Sequence, residues 1–245
     1  MSSDTSTPRA ALAIILIVGA AAGGFFAYRA LTENSRAGLK PTPVEAAPAP
    51  AAPESAPAAT GKKIPDTLPE ITLQDRDGKP TPLAKYANRP LMVNFWATWC
   101  APCRREIPLL NRLHKERRAQ NVEIVGIAVD FRDKVVQFTD KVPLEYPFLI
   151  GEEDGLAAAE AFGMGMAFPF SIFVDSQNRI LTVKVGELHE DEANFAFDRL
   201  LDIDKGILTR EQAQAQVRDA FREMAAARAK DEAAGQAADH ADHAD

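Results

Sequence analysis

The stretch LMVNFWATWCAPC, residues 91–103, decides the fold of this 245-residue chain. Its first seven residues form an apolar run, which is typical of a strand that is buried on both faces. The run leads directly to Cys100 and Cys103, and the chain has no other cysteine. A chain that places both of its thiols at the start of a predicted helix is expected to carry out its chemistry there.

Cys100 and Cys103 have a spacing that suits a redox pair. Two thiols on the first turn of a helix can close a disulfide with little backbone movement. The free N–H groups and the dipole of the helix favour the thiolate form of Cys100. Pro102 suits the first turn because it has no N–H to leave unpaired. We therefore predict that Cys100 is an exposed nucleophile and that Cys103 is the thiol that resolves the intermediate.

Two other interpretations of the cysteine pair stay open, namely half of a zinc site and an inert structural disulfide. Zinc would need about two more ligands at short spacing. The nearest histidine, His114, is predicted to lie on the exposed face of the helix that follows Cys103. The pattern therefore favours redox chemistry over a metal site.

The composition sets limits on the class of protein. The chain is 46% hydrophobic with a net charge of −7, which is enough apolar material for one substantial core. The excess of acidic residues argues against nucleic acid as a partner.

The N-terminal part is predicted to be a membrane anchor followed by a linker. Residues 10–28 carry no charge and nearly reach the ~20 residues that a helix needs to cross a bilayer. We expect residues 1–28 to form a short cytoplasmic stub and a transmembrane helix; a cleaved signal peptide is the alternative. Residues 29–67 are expected to be a semi-rigid Ala/Pro-rich linker, because residues 41–60 hold six prolines and eight alanines and cannot form a core.

Residues 68–204 have the pattern of an α/β domain. An Asp-Gly turn at residues 77–78 predicts a short hairpin. The strand at residues 91–97, a helix over residues 101–120 and a buried strand at residues 122–129 form a right-handed crossover unit. Further helices are expected at residues 133–141, 155–162 and 190–201, and further strands at residues 148–150, 169–175 and 180–185. This order predicts a mixed central sheet flanked by helices on both sides.

Residues 93–103, together with the hairpin and with Pro169 at the start of a later strand, resemble the TlpA/ResA group of membrane-anchored thiol:disulfide oxidoreductases. The resemblance covers residues 68–203 and implies a thioredoxin-like fold whose redox group is the disulfide, with no added cofactor. It places the catalytic domain in the periplasm, on a single-pass anchor in the inner (cytoplasmic) membrane. It also implies a reductant of client disulfides in cytochrome c maturation or copper-centre assembly, which a membrane electron donor of the DsbD or CcdA type reduces again.

The resemblance assigns a role to Glu106 and to Pro169. Pro169 is expected to form a cis peptide bond against the cysteine pair, beside a backbone segment that pairs with an extended client chain; a proline that merely opens a strand is the alternative. Glu106, on the same helix face as Cys103, is expected to be buried and to accept the proton of Cys103. It replaces the aspartate of ordinary thioredoxins, whose position Asn94 occupies here. A solvated glutamate paired with a neighbouring arginine, Arg104 or Arg105, is the alternative.

Seven residues are thus expected to form the site. The expected catalytic residues are Cys100, Cys103, Glu106 and Pro169, and the expected substrate-binding residues are Trp99, Pro102 and Phe168. None of these residues is predicted to bind a metal.

Residues 205–245 extend the chain beyond the resemblance. Thr209 and Gln212 have the spacing of a capping box, and Val217, Phe221 and Met224 form one apolar stripe. We expect an amphipathic helix over residues 209–231, which packs on the domain or presents its stripe to a partner. The remainder is expected to be a disordered acidic tail with histidines, and weak copper or zinc binding by residues 239–245 is the alternative.

Two rival functions stand against disulfide reduction. A thiol peroxidase of the same fold needs a threonine where this chain has Ala97. A copper-handling or non-catalytic binding domain is harder to separate, because copper(I) also favours thiolates. Such a domain would retain metal and would be indifferent to Glu106. The motif does not encode whether electrons flow toward the client or away from it.

Overall fold

The computed structural model describes the backbone of residues 63–242 and the side chains of residues 63–234. The predicted membrane anchor, nearly all of the predicted linker and the end of the tail lie outside the described residues. Within residues 63–242, no helix combines the length and the apolar character that a membrane crossing requires.

One mixed sheet of seven strands forms the centre of the described domain. The strands are β1 (Thr72–Gln74), β2 (Pro80–Pro82), β3 (Leu91–Trp96), β4 (Glu123–Val129), β5 (Phe148–Gly151), β6 (Phe170–Val174) and β7 (Ile180–Val185). Their order across the sheet is β2-β1-β5-β4-β3-β6-β7. The neighbours β3, β4 and β5 run parallel, and the outer strands on both sides pair antiparallel. The predicted hairpin is β1 and β2, and its turn holds Gly78 at a positive φ of 83°.

Five α-helices accompany the sheet in the described part of the chain. They are α1 (Ala101–Arg117), α2 (Arg132–Thr139), α3 (Glu153–Ala161), α4 (Glu190–Asp204) and α5 (Arg210–Asp242). Short 3-10 turns follow β2 at Leu83–Tyr86 and α1 at Arg118–Gln120. The unit β3-α1-β4 is the predicted crossover, with β3 beside β4 in parallel register.

The central strand β3 is buried along its whole length because helices cover both faces of the sheet. Leu91, Val93 and Phe95 pack in one apolar cluster that includes side chains of α3. Met92, whose side chain points to the opposite face, packs in a second cluster with side chains of α1, α4 and α5. The prediction of a mixed sheet with helices on both sides is therefore confirmed.

The prediction for His114 is wrong. His114 is buried, and its Nε2 lies 3.1 Å from Oε1 of Glu123 at the start of β4. Its ring also lies edge-on near Tyr146, with the two ring centroids 6.4 Å apart. The apolar stripe of α1 is wide enough to bring this histidine against the sheet rather than into solvent.

The C-terminal helix α5 packs on the domain. Ala213 and Val217 are fully buried and join the cluster that contains Phe197 and Leu200 of α4. The predicted capping box is present, since the N–H of Gln212 donates to Oγ1 of Thr209 and the Thr209 N–H donates to Oε1 of Gln212. Of the two alternatives for the apolar stripe, packing on the domain is the one observed.

The helix α5 is also longer than predicted. It continues to Asp242, whereas we expected it to end near residue 231 and to give way to a disordered tail. The segment after Phe221 is rich in alanine, the residue with the highest helix propensity, and it contains no proline. A helix can therefore persist there without an apolar face.

Candidate active site

The cysteine pair lies where β3 ends and α1 begins. Cys100 is the N-cap of α1, and Cys103 lies in its first turn. The two Sγ atoms form a disulfide of 2.00 Å, with the Cα atoms 5.3 Å apart. The N–H of Cys103 also donates to Sγ of Cys100 at 3.3 Å. The fold thus holds both sulfurs together at the N-terminus of a helix, as the sequence predicts.

The expectation that Cys100 is exposed is wrong for this disulfide-bonded state. Only 5% of Cys100 is exposed, because it packs in a small apolar cluster with Trp96, Ala97 and Phe168. Trp99, the residue directly before it, is 60% exposed. Trp99 is therefore far more accessible from solvent than the sulfur of Cys100.

Pro169 follows a cis peptide bond, as predicted. Its carbonyl accepts the N–H of Gly186 at 2.8 Å, which ties the start of β6 to the end of β7. Phe168 is half-buried, and its ring centroid lies 6.2 Å from that of Trp99 and 6.1 Å from that of Phe170. The structure therefore brings Trp99 and Phe168 together beside the disulfide. Pro102 is half-buried in the first turn of α1.

Glu106 is buried, with 2% of its surface exposed. Its Oε1 accepts Nδ2–H of Asn94 at 2.8 Å, and its Oε2 accepts the backbone N–H of Leu188 at 3.0 Å. The alternative of a solvated glutamate is wrong: the nearby Arg105 pairs with Glu187 instead. Glu106 therefore lies under the protein surface, on the helix that carries Cys103.

Burial raises the pKa of Glu106 from its ordinary value of 4.5 to about 7. The hydrogen bonds from Leu188 and Asn94 act in the opposite direction, as does the positive charge of Lys184, while the negative charge of Glu187 raises the pKa further. The desolvation of the carboxylate outweighs the donors that stabilise it. This carboxyl group can therefore take up or release a proton near neutral pH.

The sequence analysis missed two residues of this network. Ser171 accepts the second hydrogen bond of the Asn94 side-chain amide, at 3.1 Å, and Leu188 contributes only its backbone. A signal for Ser171 exists, since it is a lone polar residue in the apolar strand β6, opposite Asn94 of β3 in the sheet register. Leu188 has no signal of this kind, because every residue except proline has an N–H to donate.

An apolar groove of about 250 Å³ lies beside the disulfide. Its exposed apolar side chains are Trp99, Phe131 and Met166, and Phe168 contributes to its wall. The acidic residues that line the groove are Asp130, Glu152 and Glu153. Phe131 and Met166 were not predicted as site residues, although both are large apolar residues in loops.

Asp130 links the groove to the strand that leads to the cysteines. Its Oδ2 accepts the backbone N–H of Thr98 at 3.2 Å and the Thr98 hydroxyl at 2.5 Å. The loop between β3 and Cys100 is thereby fixed to the end of β4. Among the residues that the structure describes, no group of three or more His, Cys, Asp or Glu side chains could hold a metal ion.

Comparisons with known proteins agree with this geometry. The sequence profile of the Redoxin family matches residues 60–198. A thiol-disulfide oxidoreductase ResA of Geobacillus thermodenitrificans is 28% identical over 134 residues, which are 54% of this chain and 75% of that protein. The ResA of Halalkalibacterium halodurans is 31% identical over 121 residues, which are 49% of this chain and 67% of the relative.

Two solved structures share the fold. One is a thiol:disulfide interchange protein of the thioredoxin family from Chlorobium tepidum, with 26% identity, a TM-score of 0.50 and a match over 57% of this chain and 99% of that one. The other is a secreted thiol-disulfide isomerase from Corynebacterium glutamicum, with 28% identity, a TM-score of 0.50 and a match over 55% and 85%. The chain therefore belongs to the Redoxin family, as a ResA-like thiol-disulfide oxidoreductase of thioredoxin fold.

Proposed function

We propose that this chain is a membrane-anchored periplasmic oxidoreductase that reduces disulfides in client proteins through Cys100 and Cys103. The observation that carries the proposal is the disulfide at the N-terminus of α1, with the buried carboxyl group of Glu106 on the same helix. An inert structural disulfide has no need of a titratable group buried on the same helix, three residues after Cys103.

The reaction follows from thiol–disulfide exchange. The Cys100 thiolate attacks one sulfur of a client disulfide, which forms a mixed disulfide and releases the other client sulfur as a thiolate. Cys103, once deprotonated, attacks Sγ of Cys100 and releases the second client sulfur. The client gains two electrons, and Cys100 and Cys103 become the disulfide seen in the structure.

Glu106 is the proposed acceptor of the Cys103 proton. Its raised pKa, near 7, matches this role, because a base works best when its pKa lies near the working pH. The donors Asn94 and Leu188 hold its two oxygens in place.

Trp99, Pro102 and Phe168 are the proposed contacts for the client. Trp99 and Phe168 border the apolar groove, so a client segment that lies in it would present its disulfide to Cys100. The carbonyl of Pro169 already accepts the N–H of Gly186, so we assign the pairing with an extended client to the backbone just before Pro169.

The cellular setting rests on the sequence and on the resemblance. The uncharged residues 10–28 support a single-pass anchor in the inner membrane, and the Ala/Pro-rich linker would let the domain reach its clients. We propose clients in cytochrome c or copper-centre assembly and re-reduction by a membrane donor of the DsbD or CcdA type. The redox group is the disulfide itself, without a further cofactor.

The test uses the full chain in detergent micelles, reduced beforehand, with insulin as the disulfide substrate. Cys100→Ser should abolish reduction, and Cys103→Ser should accumulate a mixed disulfide that a non-reducing gel resolves. Circular dichroism would show whether each variant keeps the fold. Reduction of insulin by Cys100→Ser at the original rate would refute the proposal. Tight retention of copper(I), together with indifference to Glu106→Gln, would favour the copper-handling alternative.

A further inference from the structure

A buried carboxylate, that of Glu192, contacts both the C-terminal helix α5 and the loop before α4. This residue lies in the first turn of α4 and is fully buried. Its Oε1 accepts Nζ–H of Lys184 in β7 at 2.7 Å and also accepts Nη2–H of Arg228 in α5. Its Oε2 accepts the backbone N–H of His189 at 3.2 Å. Glu192 thus joins β7, α4 and α5 at one point.

The residue next to His189 is the donor to the active-site carboxyl group. Leu188 donates its N–H to Oε2 of Glu106 at 3.0 Å. The short loop that contains Leu188 is held at one end by Gly186, whose N–H donates to Pro169, and at the other end by His189. Because Leu188 and His189 are neighbours in the chain, a change in the hydrogen bond between Glu192 and His189 also acts on the hydrogen bond that Leu188 donates to Glu106.

Charge provides a second link between the two carboxylates. Lys184 forms an ion pair with Glu192, and its positive charge also lowers the pKa of Glu106. Arg228 shares Glu192 with Lys184, and it also contacts Oδ2 of Asp191 at 3.0 Å. Lys184 therefore acts on two carboxyl groups. Together with Arg228 it neutralises Glu192, and it lowers the pKa of Glu106.

The other groups around Glu106 come from several elements. Asn94 of β3 donates to Glu106, Glu187 of the loop after β7 raises its pKa, and Arg105 of α1 pairs with Glu187. Tyr146, which precedes β5, is buried and feels the charge of Glu106. None of these four residues forms a hydrogen bond or an ion pair with α5 in the described part of the chain, whereas Glu192 does.

We propose that Glu192 and Arg228 are positioning residues that couple the C-terminal helix α5 to the active-site carboxyl group of Glu106. The importance of this coupling for catalysis rests on the proposed function, but its existence does not. Loss of the Arg228 charge leaves Glu192 to Lys184 alone, which draws Lys184 away from Glu106. Loss of the Glu192 charge does the reverse, because it frees the charge of Lys184 to act on Glu106.

The test measures the titration of Glu106 in the oxidised full chain in detergent micelles, labelled with ¹³C at glutamate side-chain carboxyls. The signal of Glu106 is assigned by its absence in Glu106→Gln. Arg228→Gln should raise the titration midpoint by about half a pH unit, and Glu192→Gln, which keeps an oxygen for His189, should lower it by a similar amount. Arg228→Lys should restore most of the original midpoint.

The matched control is Arg222→Gln, on the same helix. Arg222 is largely exposed and lies 3.6 Å from Asp219, so its loss should leave the midpoint unchanged. If Arg228→Gln and Glu192→Gln moved the titration midpoint of Glu106 in the same direction, a general loosening of the structure around Glu106 would explain both shifts, and the proposal would be overturned. Unchanged midpoints in both variants would overturn it as well. If Arg228→Gln fails to fold, the sign of the Glu192→Gln shift decides alone.

The measurement is independent of disulfide reduction, since it uses oxidised protein without a client. Insulin reduction by the same variants is a separate readout. In a Glu106→Gln background, Arg228→Gln should no longer change the pH profile of this reaction, because the group that it acts on is gone. A pH profile that still moves in that background would place the effect of Arg228 elsewhere.

Discussion

At the scale of single residues, Glu106 makes the stability of the fold depend on pH below and near neutrality. Its pKa is about 7 in the folded chain against an ordinary value of 4.5, so the native state holds a proton that the unfolded chain has already lost within this window. The free energy of unfolding therefore falls as the pH rises from 4.5 to about 7, and it stays lower above that. The cost of ionising the buried carboxyl group is about 3 kcal/mol. The protein keeps this group despite the cost.

Glu106→Gln removes the titration and keeps the shape of the side chain. Near pH 4.5 the variant should be the less stable protein. Its amide NH2 group takes the place of one carboxyl oxygen and cannot accept the hydrogen bond that Asn94 or Leu188 donates there. Between pH 4.5 and a pH just above 7, the balance should move by about 3 kcal/mol in favour of the variant. Urea denaturation of the oxidised full chain at both pH values measures this change. The control is Glu116→Gln, the same substitution at an exposed position of the same helix, where no buried carboxyl group is lost. A pH-independent effect of Glu106→Gln would contradict the raised pKa.

The sequence predicted the reactive residues of the site better than it predicted the residues that hold Glu106 in place. The cysteine spacing is local, and the motif placed Glu106 and Pro169 in a recognisable pattern; the burial of Glu106 and the cis bond are both confirmed. The partners of Glu106 are distant in the chain, with Leu188 separated from it by 82 positions. His114 was misplaced for a different reason: its partner Glu123 is only nine positions away, but it lies on β4, and the pattern of α1 does not show that this helix packs there. Helical periodicity specifies a face but not what packs against it.

At the scale of elements, the long runs of apolar residues predicted the helices and strands well. The seven strands and the crossover β3-α1-β4 follow from patterns of local sequence. The C-terminal end of α5 could not be predicted from such patterns, because an alanine-rich segment without an apolar stripe has no hydrophobic periodicity. The packing of α5 on the domain nevertheless follows from the stripe that contains Val217.

The contribution of α5 to stability can be measured at Val217. This side chain is fully buried against α4, so Val217→Ala should lower the free energy of unfolding by about 2 kcal/mol. The matched control is Val142→Ala, the same substitution at a position that is 37% exposed, where the loss should stay within about 0.5 kcal/mol. Chemical denaturation of the full chain gives both values. Equal losses at the two positions would mean that α5 does not share the core of the domain.

At the scale of the whole molecule, charge and apolar surface meet at one place. The chain has a net charge of −7, and three acidic residues line the same groove as Trp99, Phe131 and Met166. The negative electrostatic potential of these acidic residues speeds the approach of positively charged partners and slows that of negatively charged ones. We expect the preferred client segments to carry apolar residues and positive charge next to their disulfide.

This preference predicts the result of a charge reversal. The reduced full chain should act faster on a disulfide peptide with lysine flanks than on one with glutamate flanks, and Glu152→Lys with Glu153→Lys should reduce or reverse the ratio of kcat/KM, by about tenfold at low salt. The control carries Glu223→Lys and Glu232→Lys, which change the net charge equally at exposed positions of α5. If both double variants shift the ratio to the same extent, net charge rather than the groove selects the client.

The two outer strands of the sheet, β2 and β7, determine how easily another polypeptide could pair with an edge of the sheet. Two of the three residues of β2 are prolines, Pro80 and Pro82, which have no backbone N–H to donate to a further strand. At the start of β7, the carbonyl of Ile180 accepts hydrogen bonds from the side chains of Arg210 and Gln214, and its N–H donates to Asp66. Neither the two prolines of β2 nor Ile180 of β7 therefore offers a free backbone N–H onto which an unfolded polypeptide could add a further strand. On the proposed function, this oxidoreductase can in this way act on extended client chains without becoming a template for their aggregation.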